Sequence, residues 1–154
     1  MDNIFIEKAS SENAEEILKL QKIAYISEAE LIDDFTIPPL QQTIDEIVSE
    51  FDDQIFLKVE TDNKIIGSVR VYLEDKTSFI GKLIVHPNFQ NKGIGTKLLH
   101  EAEKLFPNAK RFELFTGQKS LKNIFIYEKH GYNQFREIEI SDKLTLVFLE
   151  KLND

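Results

Sequence analysis

The stretch Gln90-Asn91-Lys92-Gly93-Ile94-Gly95 decides the architecture of this sequence, because it joins a predicted strand to a predicted helix. Residues Ser78 to His86 have the pattern of a strand, and Thr96 to Phe106 that of an amphipathic helix. Two glycines one residue apart allow a tight turn and the close approach of a ligand. Since the first amides of a helix have no partner within it, they favour an anion. We therefore expect this loop to bind phosphate.

The spacing of the loop excludes two common phosphate-binding motifs. A nucleotide P-loop requires Gly-x-x-x-x-Gly-Lys-Ser/Thr, which this sequence does not contain. The dinucleotide fingerprint requires a third glycine at the position of Leu98. Instead, Gln90 precedes Gly93 by three residues, and Val85-His86-Pro87 lies just upstream.

This combination, Val-x-Pro followed by Gln-x-x-Gly-x-Gly, resembles the pyrophosphate loop of the GNAT superfamily of N-acetyltransferases. The resemblance implies that acetyl-CoA (coenzyme A) is the cofactor. In that family the strand before the loop carries a bulge and splays from the next strand, here Arg111–Thr116, so that the pantetheine arm pairs with freed backbone groups. Gly81 is consistent with such a bulge. The implied cofactor-binding residues are Leu83, Ile84, Val85, Gln90, Asn91, Lys92, Gly93, Ile94, Gly95 and Thr96.

A second segment, Asn123 to Tyr132, resembles another conserved region of the same family. The family's Asn contacts the pantetheine or phosphate part of the cofactor, which implies this role for Asn123. Its Tyr lies near the thioester sulfur and often acts as general acid, which implies a catalytic role for Tyr127. The two residues are one helical turn apart and share a face. The alternative is that Tyr127 is a core aromatic residue and Gly131 a helix C-cap.

Apolar periodicity and turn residues predict the element order β-α-α-β-β-β-α-β-α-β-β in one domain, residues 1–154. This order is that of an α+β fold, a mixed sheet with helices on its faces, and the resemblance implies a mostly antiparallel twisted sheet with a splayed strand pair. Pro38-Pro39 is expected to break the helical region. The predicted strands are Ile4–Ala9, Gln54–Glu60, Lys64–Leu73, Thr77–His86, Arg111–Thr116, Tyr132–Ile140 and Leu144–Lys151; the helices begin at Ser11, Leu40, Thr96 and Ser120.

Composition limits the classes of function. The chain has 154 residues, 42% of them hydrophobic, and no cysteine, which excludes disulfides and thiolate sites. No apolar run is long enough to span a bilayer, and Met1–Asn3 shows no signal-peptide pattern, so we expect a soluble cytoplasmic protein. Residues 1–60 carry a net charge of −11 and residues 61–154 one of +3. This predicts a cationic acceptor and no nucleic-acid partner.

The implied reaction is direct attack of an amine on acetyl-CoA in a ternary complex. The acceptor is a small-molecule or peptide amine, and the protein a monomer or homodimer. Tyr25, Glu28 and Asp33 are candidate acceptor residues, since the segment Tyr25 to Leu40 is expected to form part of that site. The alternative is a non-catalytic acyl-CoA-binding sensor.

The general base is open, because Lys82 occupies a position that is acidic in many relatives. By region, Glu28, Asp33, Asp34 and Glu74 are candidates, whereas His86 more often has a structural role at a strand end. The three histidines show no metal-binding spacing, so we expect no catalytic metal.

Overall fold

Seven strands form a mixed sheet in residues 4–154, the part of the chain that the structure, a computed structural model, describes. The expected cytoplasmic location rests partly on Met1–Asn3, which lie outside the described residues. The strands are β1 (Phe5–Lys8), β2 (Ile55–Thr61), β3 (Lys64–Glu74), β4 (Thr77–Val85), β5 (Arg111–Gly117), β6 (Asn133–Glu139) and β7 (Thr145–Leu152). Their order across the sheet is β1-β2-β3-β4-β5-β7-β6. Only β4 and β5 are parallel, which confirms the predicted mixed, mostly antiparallel sheet.

Helices cover both faces of this sheet. They are α1 (Ala14–Ala24), α2 (Ile26–Ile32), α3 (Pro38–Gln41), α4 (Ile44–Asp53), α5 (Ile94–Lys104) and α6 (Leu121–Lys129). Short 3-10 turns lie at Ser11–Asn13 and Pro87–Phe89. Successive residues of β2 enter different cores: Phe56 packs with α1 and α4, whereas Leu57 packs with α5 and α6. None of the helices in residues 4–154 is long and apolar enough to cross a membrane.

The region between α1 and β2 differs from the sequence-based prediction. Helix α2 was not predicted, because it follows α1 almost directly and buries only Ala29 and Ile32. The proline pair begins α3 instead of breaking a helix, since proline fits the first helical positions. The next helix begins at Ile44, not at Leu40, because Thr43 forms a capping box with Glu46.

The parallel strands β4 and β5 separate after a short pairing. Only Thr77, Ser78 and Phe79 have partners in β5, namely Arg111 to Glu113. Farther along, β4 bulges: Ser68 and Arg70 of β3 pair with Ile84 and Gly81, so β4 holds one residue more than β3 in this interval. The predicted bulge is therefore present, and Lys82, next to Gly81, adopts its left-handed conformation with φ of 47°.

Candidate active site

A cleft of about 1250 Å³ opens where β4 and β5 separate. It exceeds the range of about 300–1000 Å³ that is typical of single small-molecule pockets. Its walls come from both strands, from the loop before α5, and from helices α2 and α6. The cleft therefore has room for two ligands side by side, at the place where the sheet leaves backbone groups of β4 without a strand partner.

The loop before α5 ends in a helix terminus that is open to the cleft. Gly93 has φ of 82°, the left-handed conformation that glycine adopts without strain, and it is the N-cap of α5. The first hydrogen bond runs from the Lys97 amide to the Gly93 carbonyl at 3.1 Å. The amides of Ile94, Gly95 and Thr96 thus have no partner within the helix and carry the positive end of its dipole.

Two further contacts shape this loop. The Gln90 side-chain amide donates a hydrogen bond to the Val85 carbonyl at 3.1 Å, which ties the loop to the end of β4. A Cβ atom at Gly95 would meet only Val85 Cγ2, at an ordinary 3.8 Å. Protein packing therefore does not require glycine there, whereas a ligand lying against the helix terminus would. This observation fits the bound pyrophosphate of an acyl-CoA.

Tyr127 reaches the cleft from α6. The residue is buried and its ring packs 6.1 Å from that of Tyr132, so it also belongs to the core, as the alternative interpretation expected. Burial raises the pKa of its hydroxyl well above the ordinary value of 10.0, and Tyr25 and Glu28 raise it further. Within residues 4–154 the hydroxyl has no hydrogen-bond partner, although the side chain lines the cleft. At neutral pH it is a protonated donor that faces the ligand space.

Glu28 also projects into the cleft, from α2. Its carboxylate accepts hydrogen bonds from the Ser120 hydroxyl and from the Asn123 side-chain amide, the latter at 3.3 Å. Asn123 donates as well to Thr116 Oγ1 at 3.4 Å. The sequence analysis missed Ser120, whose position at the start of α6 indicates only a helix cap. Its hydroxyl instead orients a carboxylate that is 92 residues distant in sequence.

A buried arginine, which the sequence analysis also missed, lines the cleft as well. Arg70 is 2% exposed, and its guanidinium binds Gln21, Gln42 (3.2 Å) and Glu50 (3.1 Å) and stacks on the Phe56 ring. These partners come from α1, α4 and the segment between them, so the network joins the helical cover to β3. No sequence pattern indicates it, because its members lie in four separate segments.

The cleft brings together most of the predicted residues. The following predicted residues line it: Tyr25, Glu28, Leu83, Ile84, Val85, Gln90, Asn91, Gly93, Ile94, Gly95, Thr96, Asn123 and Tyr127. Lys92 and Asp33 do not; Lys92 is exposed, and the Asp33 carbonyl accepts a hydrogen bond from Lys143 Nζ at 2.8 Å. Of the four carboxylates considered as general base, Glu28 is the one in the lining.

The other candidate groups lie outside the cleft. The Asp34 carboxylate accepts hydrogen bonds from Thr36, and these lower its pKa. His86 accepts from the Asn88 amide at 3.1 Å and so closes the turn after β4, a structural role. In residues 4–154 there is no group of three His, Asp or Glu side chains placed to hold a metal ion.

The cleft does not reproduce the charge asymmetry of the two halves of the chain. Four acidic side chains line it, Glu28, Glu30, Glu50 and Glu113, together with four basic ones, Arg70, Lys82, Lys119 and Lys122. The acidic excess of residues 1–60 is therefore carried largely by surfaces outside the cleft. Because the charges at the site balance, the positions of the individual charged groups, and not their net charge, select the ligand.

The family follows from this geometry together with a direct match. The family model described as "Acetyltransferase (GNAT) family" matches residues 15–132, which include the loop, the splayed strands and α6. The chain belongs to the GNAT acetyltransferase family. This confirms the resemblance seen in the two sequence motifs and supports acetyl-CoA as the cofactor.

A known bacterial protein is similar in sequence to most of the chain. The chain is 28% identical over 142 residues to the UPF0157 protein YqkA of Bacillus subtilis (strain 168), which covers 92% of this chain but 41% of the relative. The chain thus spans about two-fifths of the length of that protein.

Two solved structures share the fold. The PaiA N-acetyltransferase of Thermoplasma acidophilum, in complex with coenzyme A, has a TM-score of 0.78 at 20% identity, covering 97% of this chain and 99% of its own. YncA of Salmonella typhimurium, with its cofactor acetyl-CoA, has a TM-score of 0.77 at 16% identity, covering 99% and 95%.

Proposed function

We propose that the protein is an acetyl-CoA-dependent N-acetyltransferase that transfers the acetyl group directly to a primary amine of a small molecule or peptide. The observation that carries this proposal is the meeting of three features in one cleft: the open terminus of α5, the separated strands β4 and β5, and the unpartnered hydroxyl of Tyr127. The acceptor presents its ammonium or amine group to Glu28. The predicted cytoplasmic location, and a monomer or homodimer as the assembly, stay predictions.

The part of the cleft formed by the start of α5 and the free edge of β4, here called the donor end, fits acetyl-CoA. The amides of Ile94, Gly95 and Thr96 would bind the pyrophosphate, and the free edge of β4 at Leu83 to Val85 would pair with the pantetheine arm. When bound, acetyl-CoA supplies an acetyl group activated as a thioester. The loop residues Gln90 and Asn91 hold the turn, Gln90 through its bond to Val85 and Asn91 through its left-handed backbone, with φ of 63°.

Tyr127 acts as a hydrogen-bond donor to the leaving sulfur. A thiol has a pKa near 8.5, and the burial of Tyr127 holds the pKa of its hydroxyl far above that value. Complete proton transfer from the phenol to a thiolate is therefore unfavourable. A hydrogen bond that strengthens as negative charge develops on the sulfur gives the stabilisation without requiring that transfer.

Glu28 binds the acceptor amine. Its carboxylate is held from one side by Ser120 and Asn123, which fixes its orientation towards the cleft. It is also close enough to the Tyr25 and Tyr127 hydroxyls to influence their pKa values. An amine bound to Glu28 would therefore lie beside the hydroxyl that faces the leaving group.

The test is to incubate the protein with acetyl-CoA and a panel of primary amines and to measure acetylation as the release of free thiol. The chain contains no cysteine, so the assay has no background from the protein. We expect turnover with at least one class of amine. Glu28→Gln should raise KM for that amine by about ten- to a hundredfold, the loss of one charge-assisted hydrogen bond, without weakening acetyl-CoA binding.

Glu30→Gln is the matched control, since it removes the same charge from the same helix and the same cleft. Equal effects of the two substitutions would show that Glu28 contributes only to the general field. If acetyl-CoA binds tightly and no amine is acetylated, the protein is instead a non-catalytic sensor of acyl-CoA.

A further inference from the structure

Lys82 places a cation in the wall of the cleft without a partner. The residue lies in the bulge of β4, with φ of 47°, and it lines the cleft. Its side chain makes no hydrogen bond and no ion pair with any of residues 4–154. A lysine of this kind on an open surface would need no explanation, since water solvates it. Lys82 is instead partly buried, inside the candidate active site.

The neighbours of Lys82 leave one positive charge uncompensated. Arg70 uses its donors on Gln21, Gln42 and Glu50. Within residues 4–154, Glu50 is the carboxylate whose charge acts on both cations, and it is bound by Arg70 and by the side-chain amides of Gln42 and Gln54. The pKa of Lys82 is lowered by burial and by the charge of Arg70, against the opposing effect of Glu50. Two cations and one carboxylate leave a net charge of one, which a single anionic group from a ligand would balance.

The carboxylate of Glu28 supplies negative charge in the same cleft. Burial chiefly raises the pKa of the Tyr25 hydroxyl to about 12, and the charges of Arg70 and Glu28 shift that pKa in opposite directions. The lining of the cleft holds a cationic pole, at Lys82 and Arg70 on the paired strands β4 and β3, and an anionic pole at Glu28 on helix α2. A polycationic acceptor would fit the second pole and be repelled by the first.

We infer that the acceptor is a primary amine that also carries a carboxylate, as an α-amino acid does, with Lys82 binding the carboxylate and Glu28 the amine. The inference rests on the proposed acetyltransferase activity and narrows the acceptor from amines in general to zwitterionic amines. A carboxylate fits better than a phosphate dianion, because it matches the single uncompensated charge.

The experiment compares acceptors that differ only in the carboxylate. The pairs are L-phenylalanine with phenethylamine and L-leucine with isoamylamine, and L-phenylalanine methyl ester keeps the α-amine but lacks the anion. We expect the parent protein to prefer the amino acid of each pair by about tenfold or more in kcat/KM, the effect of one charge-assisted contact. A parent that uses the decarboxylated amines as well as the amino acids would overturn the inference.

Substitutions of Lys82 then assign the preference to this side chain. Lys82→Gln should raise KM for the amino acids about tenfold and leave the decarboxylated amines within a factor of about three. Lys82→Arg should keep most of the preference, because it keeps the charge. Lys64→Gln, an exposed lysine of the same sheet, is the matched control and should change neither.

Further outcomes distinguish a failure of the inference about Lys82 from a failure of the proposed function. If Lys82→Gln lowers turnover of both members of a pair equally while calorimetry shows unchanged acetyl-CoA binding, Lys82 serves the chemistry and not the carboxylate, and the inference is wrong. If Lys82→Gln does not fold, the inference is tested on the parent and on Lys82→Arg, which must both prefer the amino acid to the decarboxylated amine. Acetyl-CoA binding with no thiol release for any amine overturns the proposed function itself, a result distinct from acetylation without a carboxylate preference.

Discussion

The two ends of the cleft are built in different ways. The donor end consists mainly of backbone: the amides at the start of α5, the left-handed turn at Gly93 and the free edge of β4. The acceptor end consists of side chains, Tyr25, Glu28, Arg70 and Lys82, which come from the junction of α1 and α2, from α2, and from β3 and β4. Backbone groups recognise a constant ligand and need few particular side chains, whereas side chains can change with the acceptor without a change of fold. Reaction class is therefore a property of the first end and acceptor choice a property of the second.

Gly95 offers the strongest test of the donor end. Gly95→Asp adds bulk and negative charge to the first turn of α5, where the pyrophosphate would lie. We expect acetyl-CoA binding to become undetectable by calorimetry while the fold persists, since an acidic residue suits a helix N-terminus. The effect should exceed about a thousandfold, because it combines a steric and an electrostatic penalty.

Gly95→Asn separates these two penalties. It adds nearly the same volume without the charge, so it should weaken binding less than Gly95→Asp. Binding of acetyl-CoA to the aspartate variant as tightly as to the parent would remove the loop from the cofactor site.

Tyr127 lines the same cleft, and the loss of its hydroxyl is expected to have a smaller effect, on catalysis alone. Tyr127→Phe removes one oxygen, so packing against Tyr132 and acetyl-CoA affinity should barely change. If the hydroxyl supports the leaving sulfur, kcat should fall by roughly ten- to a thousandfold at constant KM for acetyl-CoA. Because its pKa is raised above 10.0, the hydroxyl stays protonated below that pH, and no loss of kcat from its ionisation is expected there.

Turnover by Tyr127→Phe equal to that of the parent, with the best acceptor, would remove the hydroxyl from the chemistry. A loss of acetyl-CoA affinity without a loss of kcat would assign Tyr127 to the donor end instead.

The smallest expected effect concerns the helix that supports the acceptor end. Helix α4 carries Glu50, the partner of Arg70, and begins at the capping box of Thr43 and Glu46. Thr43→Ala should lower the free energy of unfolding by about 1 kcal/mol. This corresponds to a decrease in Tm of roughly 2–4 °C. Acetyl-CoA affinity should not change, because neither Thr43 nor Glu46 lines the cleft.

Acid should reduce this difference in stability. Two hydrogen bonds lower the pKa of Glu46 below 4.5: the larger effect comes from the Thr43 amide and the smaller from the Thr43 hydroxyl. A carboxylate with a lowered pKa stabilises the folded state above the pKa of the unfolded chain and loses this effect as the pH falls through the folded value. The difference in stability between the parent and Thr43→Ala should thus narrow below about pH 4 without vanishing, because the Glu46 amide still donates to the Thr43 hydroxyl of the parent. Thr43→Ser, which keeps the cap, should match the parent; a decrease as large as that of Thr43→Ala would contradict the assignment.

The comparison of the two ends also explains what could be predicted from the sequence. The loop residues 90–96 and the strand before them are contiguous, so a local pattern predicted an anion-binding loop, and its resemblance to a known family predicted the fold and acetyl-CoA as the ligand of that loop. The acceptor region was predicted less well: α2 was missed, Asp33 lies outside the cleft, and Arg70 and Ser120 were not considered. The Glu28–Ser120 contact joins α2 to the start of α6, and no local pattern marks such a pair.

The sequence by itself determined the family, the mixed sheet and the position of the cofactor loop, because glycine spacing, helix termini and alternating apolar residues act over a few neighbouring residues. Only the tertiary structure decided which charged side chains meet in the cleft. Lys82 illustrates this division: its position in the sequence does not reveal its surroundings, whereas in the fold it is a partly buried cation near Arg70 that forms no ion pair with any of residues 4–154. The reason is physical, since the energy of a charge depends on burial and on neighbours distant in sequence, and folding alone sets both.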